Sequence, residues 1–104
     1  MEQINCLEEW YSAHCDGDWE HGGGIKIESL DNPGWSVTIN LAGTELEKMP
    51  FSEMSQNDVS QRYEDNQDWW VCRKVGVEFQ GKGGPKQLSV ILHIFAEWSR
   101  SAGK

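Results

Sequence analysis

A chain of 104 residues makes one domain with room for a single modest core. Only 38% of its residues are apolar, but six Trp and three Phe supply bulky core material. The net charge of −8 is uneven: residues 1–72 carry fifteen Asp/Glu against three Lys/Arg, and residues 73–104 carry six Lys/Arg against two Asp/Glu. Such a field repels phosphate backbones, which argues against direct nucleic-acid binding, and it complements a basic protein partner. The plainer reading of the same charge is solubility.

The N-terminus, MEQINCLEEWY, lacks the basic and apolar regions of a signal peptide. Ile4, Leu7, Trp10, Tyr11 and His14 recur at three- and four-residue steps, which predicts an amphipathic helix over residues 2–14 with Glu8 and Glu9 outside. Asp16-Gly17 is turn chemistry and ends it. The next residues concentrate Asp16, Asp18, Trp19, Glu20 and His21 ahead of Gly22-Gly23-Gly24, which reads as a hinge.

Residues 25–30 (IKIESL) read as the first strand of a hairpin, and Asp31-Asn32-Pro33-Gly34 has strong turn composition. Trp35, Val37, Ile39 and Leu41 then alternate with Ser36, Thr38 and Asn40, the period of a half-buried antiparallel strand. A hairpin over 25–41 follows. Over 43–54 the pattern is mixed: Leu46, Met49 and Phe51 are suited to cover a sheet, and Pro50 blocks a central strand. Residues 55–67 are polar and read as a loop.

Residues 69–75 and 77–79 read as two further strands, with Gly76 a turn or bulge between them. Gly81-Lys82-Gly83-Gly84-Pro85 is expected to break the sheet, with Pro85 in the first turn of a helix over 85–99 whose stripe is Leu88, Ile91, Leu92, Phe95 and Trp98. The expected fold is α+β: an antiparallel sheet of about four strands, with the N-terminal and C-terminal helices on one face. No internal repeat or linker divides it. Cys6, Cys15 and Cys72 are odd in number and lack CxxC spacing, which argues against a disulfide framework and for a reducing, cytoplasmic setting. No apolar run approaches the roughly 18 residues of a spanning helix.

Several chemistries compete for the acidic segment. His14, Cys15, Asp16, Asp18, Glu20 and His21 include metal-ligand types, but the spacing is neither that of a calcium loop nor of paired zinc ligands, so no metal is expected. Two of Asp16, Asp18 and Glu20 as an acid/base pair would need a cleft and one raised pKa, and neighbours in a charged loop are too solvated for that. Cys15 lies beside carboxylates that disfavour its thiolate, and Cys6 and Cys72 fall in regular elements where inert burial is the rule. Gly81-Lys82-Gly83-Gly84 lacks the spacing of a phosphate loop. No cofactor is implied and no catalytic set stands out.

Recognition of a protein remains. Asp16, Asp18, Glu20, Glu28, Asp31, Glu45 and Glu47 lie in or near the hairpin, and Trp19 and one of Trp69 and Trp70 are candidate exposed anchors. For Trp10, Trp35 and Trp98 the apolar stripes indicate core. The alternative is a small carbohydrate-binding module or hydrolase using exposed Trp and paired carboxylates.

The run CDGDWEHGGGIKIESLDNPGW, the following SVTINLAGTELE and the late FQGKGGPKQL resemble the immunity protein 53 family of bacterial polymorphic toxin systems. The resemblance extends from Trp10-Tyr11 to Trp98, with residues 55–67 outside it. Asp16, Asp18, Trp19, Glu20, Asp31 and Trp35 occupy its characteristic positions. It implies binding without turnover: a protein encoded beside a secreted toxin that neutralises it inside the cell. The partner would be a cognate toxin domain with a basic surface, met by Asp16, Asp18, Trp19, Glu20, His21, Asp31, Glu45 and Glu47.

Overall fold

The structure, a computed structural model, describes residues 2–22, 24–31, 33–56 and 68–102. Most of the polar stretch expected as a loop, residues 57–67, lies outside the described residues, as do Gly23 and Asn32. Helix α1 (Glu2–His14) forms where the apolar stripe predicts it, with Leu7 and Trp10 buried. Gly17, at a φ of 98°, takes the left-handed turn that stops it.

Five antiparallel strands follow: β1 (Ile25–Leu30), β2 (Gly34–Asn40), β3 (Met54–Gln56), β4 (Trp70–Val75) and β5 (Glu78–Gly83), with α2 (Leu88–Ala102) closing the chain. The sheet order is β1-β2-β5-β4-β3. The fold is α+β, and the strand beyond the four expected is β3, too short at three residues to show an alternation. The register sets Val37 beside Gly81 and Cys72, and Ile39 beside Phe79, on one sheet face. Leu7 and Trp10 of α1 and Ile91, Leu92, Phe95 and Trp98 of α2 join those residues in a single core cluster. Both helices therefore cover the same face, and the opposite one carries Ser36, Thr38, Gln80, Lys82 and Arg73.

Two expectations about residues 81–87 need correction. Gly81 and Gly83 do not break the sheet; they belong to the second half of β5, beneath α2. A Cβ on Gly81 would lie 2.4 Å from Ile91 Cγ2, so glycine is what lets the helix settle on the central strand. Nor does Pro85 open the helix. It sits in a turn closed by Gln87 N–H donating to Gly84 O (3.1 Å), and its carbonyl accepts the Trp35 indole N–H at 2.9 Å. The helix begins at Leu88 instead.

Residues 41–50 fold over the core as the apolar pattern suggests: Leu46 is fully buried, and Met49 and Phe51 pack against the cluster. Lys74 pins this segment, donating from Nζ to Glu47 O (2.6 Å) and Met49 O (2.8 Å). Neither member of the Trp69-Trp70 pair is an exposed anchor. Trp69 is buried, and Trp70 is half-buried against the core.

Candidate functional site

The acidic segment forms a self-bonded loop. Asp16 Oδ1 accepts the N–H groups of Asp18 (2.9 Å) and Trp19 (3.0 Å), capping a single 3-10 turn, Trp19–Gly22. Glu20 reaches back the other way: Oε1 accepts Asp16 N–H at 3.0 Å and Oε2 accepts Gly17 N–H at 2.9 Å. The two form a reciprocal cap at the start of this turn. Backbone N–H groups, Trp19's first and then Asp18's, hold the Asp16 carboxyl below its ordinary range. Glu20 is lowered too, first by its own backbone N–H and then by those of Asp16 and Gly17. Neither has the raised pKa of a general acid.

Trp19 is half-buried, and its ring meets Trp10 edge-on at 5.5 Å, Tyr11 at 5.6 Å and His14 at 5.7 Å. Its indole Nε1 is buried without a hydrogen-bond partner among the described residues. Gly24, at a φ of 50°, passes under Tyr11 and turns the chain into β1.

A second acidic residue locks this corner from across the sequence. Glu45 Oε2 accepts the Trp10 indole N–H at 3.1 Å, and Glu45 Oε1 lies 2.7 Å from His14 Nε2. His14 Nδ1 is 2.7 Å from Trp10 O, so both ring nitrogens face acceptor oxygens. Desolvation pushes the Glu45 carboxyl up, but its own backbone N–H, His14 and Trp10 together outweigh it and leave it lowered. Glu47 caps its own turn, Oε1 accepting Gly43 N–H at 2.8 Å.

Between the two loops lies a recess of about 540 Å³, lined by Ala13, His14, Asp16, Asp18, Trp19, Gly22, Asn40, Ala42 and Gly43. Asp18 is exposed at its rim, and its carboxylate makes no bond within the described residues; His21 is also exposed, outside the lining. Of the eight expected partner-binding residues, Asp16, Asp18 and Trp19 line the recess, and Glu20, His21, Glu45 and Glu47 stand on the two loops that form it. Asp31 does not join them. It occupies the turn at the other end of β1, about 20 Å away along a six-residue strand.

Ala13, His14, Gly22, Asn40, Ala42 and Gly43 are the lining residues that the sequence pattern does not single out for partner binding. His14 and Glu45 are 31 positions apart, and no local spacing announces such a pair. Among the described residues no group of three or more His, Cys, Asp or Glu is placed to hold a metal ion. Cys72 is buried, and burial pushes its thiol up to about 12, which leaves it unreactive.

Fold and recess define a class: a small α+β domain with a recess lined by two aspartates, a histidine and an indole ring. Its membership is narrower than that. The immunity protein 53 family model matches residues 4–100, and the chain belongs to that family. Membership carries an immunity-protein role, and such a role implies a toxin partner. No curated protein and no solved structure matches the chain.

Proposed function

We propose that this immunity protein acts in the bacterial cytoplasm, where it binds the cognate toxin domain of a polymorphic toxin system and inhibits it by occlusion, without turnover. The observation that carries the reading is the recess between residues 16–22 and 41–47, lined by Asp16, Asp18 and Trp19, on a chain of an immunity-protein family. A basic toxin surface is its electrostatic complement. Asp18 and His21, exposed and outside the loop's side-chain hydrogen bonding, are the groups available for direct contact. Trp19 supplies an apolar wall that a partner side chain can desolvate.

Asp16, Glu20, Glu45 and Glu47 add to the field while carrying the loops. Asp31 contributes to long-range steering only. The reading accounts for the concentration of charge in residues 1–72, because steering by a negative surface accelerates encounter with a cationic partner.

The test is co-expression with the toxin encoded next to this gene, scored as rescue from killing, together with association kinetics across a salt series. Wild type is expected to rescue, with an association rate that falls steeply as salt rises. Asp18→Lys is expected to slow association and weaken rescue while the chain stays folded. Rescue unchanged by Asp18→Lys, with salt-independent kinetics, would remove the recess from the interface.

A further inference from the structure

The two edges of the sheet are built differently. β3 is three residues long, a common way to blunt an edge against pairing. β1 is six residues long and pairs with β2 in unbroken register from Ile25↔Ile39 to Leu30↔Gly34, with no proline or bulge. Lys26, Ile27, Glu28 and Ser29 are all exposed. Ile27 is 41% exposed even though its partner across the ladder, Val37, is fully buried on the same face.

The direction of the free backbone groups follows from one hydrogen bond. Asn40 N–H donates to Gly24 O at 2.8 Å, so the pair one step before Ile25↔Ile39 is a hydrogen-bonded pair. Such pairs alternate along an antiparallel ladder. Gly24, Lys26, Glu28 and Leu30 therefore turn their N–H and C=O groups toward β2. Those of Ile25, Ile27 and Ser29 point outward from the edge, where no strand among the described residues pairs with them.

The side chains along that edge are self-complementary. Lys26 and Glu28 share the uncovered face, with Lys26 Nζ 3.7 Å from Glu28 Oε2, and Ile27 stands between them on the helix side. We propose that β1 is a self-association edge: it pairs antiparallel with β1 of a second copy of this chain, about a two-fold axis through Ile27. Ile27 then opposes Ile27, Ile25 opposes Ser29, and Lys26 opposes Glu28 on both sides of the axis.

The outward groups of Ile25, Ile27 and Ser29 meet their counterparts in this register, giving about six hydrogen bonds from three pairs. The Lys26–Glu28 pairs fall at the non-hydrogen-bonded positions, where side chains approach most closely. Other registers fail for a physical reason. Sliding by two residues sets Lys26 against Lys26 or Glu28 against Glu28, and like charges directly opposite are destabilising. Sliding by one sets the helix-covered face of one copy against the open face of the other. A lone edge lysine would block pairing, but a lysine with a glutamate two residues on selects this one register.

A six-residue edge buries less than the roughly 1,200 Å² of a standard interface, so the dimer is concentration-dependent rather than obligate. The test is sedimentation velocity of the full chain up to about millimolar concentration, in the regime where weak dimers populate. Wild type is expected to show a reversible monomer–dimer equilibrium. Lys26→Glu alone and Glu28→Lys alone are each expected to weaken it roughly tenfold. An equimolar mixture of those two single variants is expected to form heterodimers, and the double reversal in one chain to restore self-association. All these substitutions are on exposed side chains, and circular dichroism verifies folding. A chain monomeric throughout the range overturns the proposal, as does a dimer indifferent to the single reversals. So does a monomeric wild type whose single reversals weaken toxin binding, which would assign the edge to a strand of the toxin.

Discussion

At the Gly24–Asn40 end of the β1–β2 hairpin, the carboxylates of Asp16, Glu20, Glu45 and Glu47 accept hydrogen bonds from donors of this chain, whereas at the other end Asp31 stands exposed in its turn. The two regions contain the same residue types, and their charges have different work. A carboxylate that satisfies backbone N–H groups holds a loop in shape and offers a partner only its residual field. One without such donors keeps its full hydrogen-bonding capacity for a partner. Counting acidic residues therefore overstates how many are available for recognition. Of the acidic residues at these two ends, Asp18 and Asp31 make no side-chain bond within the described residues, and of these two only Asp18 lies at the recess.

The turn end depends on close backbone packing instead of carboxylates, and breaking it has the largest expected effect. A Cβ on Gly34 would lie 2.4 Å from Gly83 O, a backbone atom that cannot swing aside. Gly34→Ala is expected to destabilise the fold by about 1–3 kcal/mol, measured by urea unfolding. At the acidic end, Glu45→Ala removes the acceptor of the Trp10 indole and of His14. The expected cost is about 1–2 kcal/mol, because Trp10 is buried and its N–H loses its partner, and Glu45→Gln should recover part of it.

Smaller losses are expected from Asp16→Ala and Glu20→Ala, which unlock a loop on the surface rather than the core. Hydrogen exchange reads this directly: amide protection of Asp18 and Trp19 should fall in Asp16→Ala, and that of Asp16 and Gly17 in Glu20→Ala. The same contacts give a pH dependence. The folded carboxyls of Asp16 and Glu20 titrate below their ordinary values of 3.8 and 4.5. Their contribution is complete above those values and is lost as pH falls through the lower, folded ones. Acidification into that window should loosen residues 16–22, followed by near-ultraviolet circular dichroism, and the Asp16→Asn/Glu20→Gln pair should show little of this transition.

The smallest stability effects belong to the unbonded carboxylates. Asp18→Asn and Asp31→Asn should each leave stability within about 0.5 kcal/mol of wild type. They sharpen the comparison through kinetics: Asp18→Asn should slow toxin association at low salt, and Asp31→Asn should do so less. A large stability loss in Asp18→Asn would show that this residue, too, braces the loop.

Elements that announce themselves by period are legible in the order of residues alone. The α1 stripe and the alternation from Trp35 to Leu41 each state which face is inward, and the helices and the hairpin form at those places. The glycine-rich end of β5 has the look of a breaker because glycine has no side chain with which to mark a face. Its purpose, letting Ile91 approach Gly81, exists only between two elements. Pro85 escapes local rules for a related reason: its carbonyl is held by Trp35, fifty residues earlier. Lys74, among apolar strand residues, is the visible sign that something crosses the sheet there, yet its partners are carbonyls and leave no trace in composition.

The candidate site divides in the same way. Local order alone determined the charge asymmetry, the acidic loop, the hairpin and the family to which the chain belongs, because these rest on residue type and short spacing. Tertiary structure decided which carboxylates are bound and which remain available. It also brought Glu45 to Trp10 and His14 and set the two loops around one recess. The physical reason is that a carboxylate's role depends on the donors around it, and those donors are assembled by packing between segments distant in the chain.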